Sequence, residues 1–162
     1  MGITLIIFLH ISNPHYSHRF VLEALLKAGA DPNVGKDILP LEKIVTMGNQ
    51  YLVDLLLKAG ADPNLGKHTV PIYQAVASGN YNIVELLLKA GADPKLGKHG
   101  LPIYKAVTDS NFNIAELLLK YGANINVINN ESETPLTHWI KRNNLIVNTY
   151  LSFLVSYYLL HA

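Results

Sequence analysis

The chain has 162 residues, 49% of them hydrophobic and 15% charged, enough to bury a continuous core without a covalent staple. It contains no cysteine, which excludes disulfides, thiolate metal sites and a cysteine nucleophile and fits a reducing compartment. Its 13 Lys and Arg against 12 Asp and Glu leave a formal charge of +1, so no global field draws in nucleic acid or an anionic membrane.

The N-terminus carries an apolar run from Ile3 to Leu9, followed by Asn13 and Pro14. No basic stretch precedes this run and no small-residue cleavage site follows it, so it reads as a segment packed on the next part of the chain in preference to a signal peptide. His15 and His18 stand one helical turn apart, but no third ligand of fitting spacing accompanies them, so no metal site is expected.

From residue 25 onward the chain is an array. LLLKAGADP occurs at 55–63 and 86–94, with near-copies at 25–32 and 117–125, so Gly29, Gly60, Gly91 and Gly122 recur every 31 positions. Residues 62–92 and 93–123 agree at 21 of 31 positions without a gap. Each copy is then one supersecondary unit that buries its apolar face only against its neighbours. Within a copy, Pro40, Pro71 and Pro102 each open a short helix, since proline suits the first helical turn. A two-residue stop follows, then a more apolar helix that the recurrent glycine terminates by accepting a left-handed backbone. The spacing predicts helices over about 40–47, 50–59, 71–78, 81–90, 102–109 and 112–121, paired as hairpins. The Asp, Pro, Asn and Gly between them are turn chemistry.

The last segment, LIVNTYLSFLVSYYLL at 145–160, is longer and more apolar than the other second helices. It is 16 residues long with Asn148 near its start, against the roughly 20 apolar residues of a membrane span. It reads as a greasy capping helix, and Leu151, Phe153, Leu154, Tyr157, Tyr158 and Leu160 point to a partner or self-association surface, with two chains meeting end to end as a homodimer.

Turn, helix, tight turn, helix resembles the ankyrin repeat. The family's T-P-L-H-x-A stands here as LPLEKI (39–44), VPIYQA (70–75), LPIYKA (101–106) and TPLTHW (134–139); its second-helix pattern stands as GNYNIVELLLKAGADPK (79–95), with Lys95 in place of the usual Asn. The resemblance implies an all-α solenoid of about five units: a degenerate first (1–30), three regular (31–61, 62–92, 93–123) and a capping one (124–162). Two departures stand out. Asn33 to Pro40 and Asn64 to Pro71 span 7 positions, against 9 from Asn126 to Pro135, so three hairpin fingers are short and should protrude less than the last. The Thr and His that hydrogen-bond the turn in the family are replaced by Leu39, Val70 and Leu101 and by Glu42, Tyr73 and Tyr104; apolar packing is expected to stand in for that latch.

No catalytic residue, cofactor or metal ligand emerges. GADPNLGKH (60–68) has one residue too many between its glycines for a phosphate loop, and it recurs in three copies, as a solvated turn would. What the period supplies is rows of side chains on one face. Lys36, Lys67 and Lys98 recur at the fingers; Tyr73 and Tyr104 recur at the start of the first helices and act either as anchors or as structural substitutes for the family's His. Lys43, Gln74, Lys105 and His138 form the next row, followed by Thr46, Ala77, Thr108 and Lys141 beside Met47, Ser78, Asp109 and Arg142. The resemblance implies a non-catalytic scaffold that binds a protein partner on its concave face, in the cytoplasm or in a host cell's cytoplasm. Alternatives are a targeting or regulatory domain of a larger enzyme, a secreted bacterial effector, and a substrate for asparagine hydroxylation at Asn33, Asn64 or Asn126, of which Asn126 after Ile125 fits that motif.

Overall fold

Residues 17–97 and 101–144 are described by the structure, a computed structural model. The N-terminal apolar run, Lys98 and the 145–160 segment with its expected self-association surface lie outside the described residues. Seven helices follow in order: α1 Ser17–Lys27, α2 Pro40–Met47, α3 Gln50–Lys58, α4 Pro71–Ala77, α5 Tyr81–Lys89, α6 Pro102–Thr108 and α7 Phe112–Lys120. Residues 135–144 form an eighth, α8. All regular structure among the described residues is helical, and the six expected helices agree with α2 to α7 to within a residue.

Each hairpin is built by the same local chemistry. Pro40, Pro71 and Pro102 are the first residues of α2, α4 and α6. The first helix ends where Gly48 and Gly79 take φ of 70° and 69°. Asn49 and Asn80 then cap the second helix, their side chains accepting from the N–H of Leu52 and Ile83 at 3.2 Å. The second helix closes at Gly29, Gly60, Gly91 and Gly122, with φ between 85° and 92°. The following alanine folds its N–H back to a carbonyl five residues earlier, as Ala61 does to Leu56 and Ala92 to Leu87. The third unit departs from this: Ser110 occupies the left-handed position, at φ 60°.

The hairpins α2–α3, α4–α5 and α6–α7 stack in register. The first helices pack on one another more extensively than the second helices do, which makes them the inner layer. The core is a set of ladders along the stack. Leu41, Ile72 and Ile103 form one, Ile44, Ala75 and Ala106 a second, Leu52, Ile83 and Ile114 a third, and Leu56, Leu87 and Leu118 a fourth, all at most 2% exposed. At about 1.5–3 kcal/mol for each large side chain taken from water, these ladders supply the stack's main attraction.

Gly91 sits at φ +92° with open space where a Cβ would stand, so Gly91→Ala pays a backbone penalty alone. It is expected to lose about 1–2 kcal/mol in urea unfolding. Ser110→Gly removes the matching strain and should unfold no more easily than the parent chain. An unchanged midpoint for Gly91→Ala would show that the left-handed helix end is not what holds the turn.

Candidate functional site

Glu42 lies in the first turn of α2 and is 2% exposed. A buried carboxylate needs partners, and here they come from the next finger: the successive N–H groups of Lys67, His68 and Thr69 all donate to it at 3.1 Å. The finger can turn that sharply because residue 66 is glycine; a Cβ there would stand 2.1 Å from the Thr69 carbonyl oxygen. The expectation that apolar packing replaces the polar latch is therefore corrected. Packing does replace the Thr, with Leu39 and Val70 at 8% and 7% exposure and no side-chain cap. At the His position, Glu42 forms a stronger polar latch that reaches across to the following unit.

The longer last finger solves the same problem internally. Asn129 Oδ1 accepts from the N–H groups of Glu131 and Glu133, and its Nδ2 donates to the Tyr104 hydroxyl at 2.7 Å. Tyr104 thus occupies the Glu42 position and also links to the next finger. It is half-buried, burial pushes its phenol above the usual range, and the nearby Glu133 charge adds to that. Tyr73 is half-buried against the core.

At the finger base an asparagine bridges each pair of units. Asn33 donates to the Gly60 carbonyl and accepts from the Asp62 N–H; Asn64 does the same with Gly91 and Asp93. The next position is Lys95, which cannot repeat the bridge. At the finger tips, the Lys67 ammonium donates to the carbonyls of Gly35 and Lys36, and His68 Nε2 bonds the Asp37 carbonyl. Lys67 is therefore a staple between fingers as well as a surface cation.

The inner-helix rows are brought onto one face. Thr46, Ser78 and Thr108 turn their hydroxyls onto carbonyls of their own helices. Lys105 pairs with Asp109 at 2.9 Å, whereas Lys43, Gln74 and Arg142 have no side-chain partner among the described residues. Met47 is 41% exposed and Ala77 half-buried. At the last helix, Glu133 binds Lys141 at 2.8 Å and His138 Nδ1 at 2.9 Å, and the His138 ring lies 5.5 Å from that of Tyr104. The outer helices carry self-contained ion pairs four residues apart: Arg19–Glu23, Asp54–Lys58 and Glu85–Lys89.

Among the described residues no group of His, Asp or Glu could hold a metal ion, and no helix is long and apolar enough to cross a membrane. The roles of Asn129 and Glu42 escaped the sequence reading. The signal for Glu42 was its position, an acid one turn into a helix otherwise buried on that side.

Stacked helical hairpins with variable side chains on an inner face define a repeat solenoid whose chemistry is that of binding. A family model described as Ankyrin repeats (3 copies) matches residues 8–98 and 73–156. The chain belongs to the ankyrin repeat family, whose arrays are generally protein–protein interaction modules and typically non-catalytic. No curated protein matches the chain.

Glu42→Ala leaves three N–H groups without an acceptor and should lower stability by about 3 kcal/mol or more. Glu42→Gln keeps one acceptor oxygen and turns an amide N–H toward a backbone donor, so it should fall between. Urea unfolding of both variants checks this; a Glu42→Ala loss below about 0.5 kcal/mol would remove the latch from the account.

Lys141, and then His138, hold the Glu133 carboxyl below the usual carboxylate range. Because the folded value is the lower one, its contribution is complete above the ordinary carboxylate range and is lost as pH falls through the folded value. The emission of Trp139, the chain's one tryptophan, should therefore change on acidification with a midpoint below that range. Glu133→Gln should abolish that transition.

Proposed function

We propose that this chain is a non-catalytic scaffold that takes a protein partner on the face formed by its inner helices and fingers, the concave side of such a solenoid. The observation that carries this reading is the set of polar side chains left uncommitted on the inner face. On outer helices α1, α3 and α5 one acid and one base four residues apart are paired within the helix. On the inner face Lys43, Gln74 and Arg142 stand unpaired among the described residues, beside half-buried Tyr73 and Tyr104. Lys43 and Gln74 are half-buried and not committed to an internal partner, so they lose little on binding. The absence of cysteine suits action in the cytoplasm, or in a host cell's cytoplasm for a secreted effector.

The test compares the intact chain with the double variant Lys43→Glu, Lys105→Glu in affinity capture followed by mass spectrometry and titration of the captured protein. Affinity should fall by more than about tenfold. Thermal stability should fall only modestly, through loss of the partly exposed Lys105–Asp109 pair, worth up to about 1 kcal/mol. Equal affinity of the two chains would place recognition on another face.

A further inference from the structure

Trp139 stands where the preceding units have Ala75 and Ala106, both fully buried between inner helices. An indole does not fit an alanine slot at that spacing. It packs edge-on against Phe112 with ring centroids 6.1 Å apart and donates its Nε1–H to Ser110 Oγ at 3.3 Å. The C-terminal end of α6 and helix α8 then enclose a notch of about 390 Å³ lined by Thr108, Asp109, Ser110, Trp139, Arg142 and Asn143.

The charges in this notch are unequal. The Asp109 carboxylate is held by Lys105 at 2.9 Å, and the Thr108 hydroxyl is spent on the Lys105 carbonyl. Arg142, on the opposite wall, has no ion-pair partner among the described residues. The notch therefore presents an uncommitted guanidinium beside an aromatic ring, a combination suited to a carboxylate with an apolar neighbour. On the same face Lys43 is likewise unpaired, three inner-helix spacings away. At about 8–10 Å per spacing that is roughly 24–30 Å, the reach of about eight residues of extended chain.

We propose that the inner face receives an extended acidic segment of a protein partner, about eight residues long, with one carboxylate on the Arg142 guanidinium, an aliphatic side chain against Trp139, and further carboxylates toward Lys105 and Lys43. This rests on the inner-face reading above and adds the chemistry of the partner and its anchor. A nucleic acid fits less well, because Asp109 and Glu133 are interspersed with the four cations of this face, Lys43, Lys105, Lys141 and Arg142, and would face its phosphates.

Trp139 is the only tryptophan, so its emission reports on the notch directly. The experiment titrates the intact chain with a labelled peptide of about ten residues built from Glu-Glu-Leu repeats, reading Trp139 emission and peptide anisotropy together. Its Gln-for-Glu counterpart and an oligothymidine of about ten nucleotides serve as competitors. A saturable response to the acidic peptide is expected, weakening with salt, and about tenfold or more weaker for the Gln peptide and for Arg142→Glu. Arg142→Gln, the milder change, should weaken it as well and serves if the charge reversal does not fold. No response up to about 1 mM, equal binding of the Gln peptide, or equal or tighter binding of the oligonucleotide would overturn the proposal. A captured protein that is lost on Lys43→Glu, Lys105→Glu but unaffected by Arg142→Glu would overturn the acidic anchor and leave the inner-face reading standing.

Discussion

The finger from Asn64 to Pro71, seven positions apart, is too short to satisfy its own backbone. Its tip points three consecutive N–H groups the same way, and nothing inside the finger accepts them. In the 62–71 finger the acceptor is Glu42, from the unit before. Burying that carboxylate costs several kcal/mol, which three charge-assisted hydrogen bonds offset only while the two units are docked. Shortening this finger thus couples its unit to the one before through polar chemistry, in addition to the apolar ladders that run through the stack.

The last finger shows the other solution to the same constraint. Two extra residues let Asn129 accept the tip N–H groups from within, and the link to the preceding unit shrinks to one hydrogen bond with Tyr104. The asparagine bridge at the finger base is also lost at that junction, because Lys95 replaces the residue that made it at Asn33 and Asn64. The final helix is instead attached through Trp139 against Phe112 and Ser110. The junction between the last two units is therefore held differently from those before it, and the notch beside Trp139 is a consequence.

Most charge in the array is settled locally. An acid and a base four residues apart on one helix neutralise each other whatever the neighbouring unit carries, on outer helices α1, α3 and α5 and on inner helix α6 alike. The last inner helix is served by the finger of its own unit, through Glu133. Lys105 finds Asp109 and Lys141 finds Glu133, whereas Arg142 finds neither.

The period of 31, the proline at each helix start and the glycine at each helix end were enough to read the helices and their pairing from the sequence, because these are local effects repeated in register. The candidate rows were legible for the same reason, since any residue recurring with the period must line one face. What that period could not show is which polar groups meet across the stack. In the sequence Glu42 reads as a departure from a family pattern, Lys67 as part of a solvated turn and Trp139 as the end of the TPLTHW stretch. Each takes its role from atoms about 25 to 32 positions away, at distances that depend on how closely one unit seats on the next. Local sequence sets the backbone of each unit, whereas the partner of a buried carboxylate or an unpaired guanidinium is decided only when the units dock.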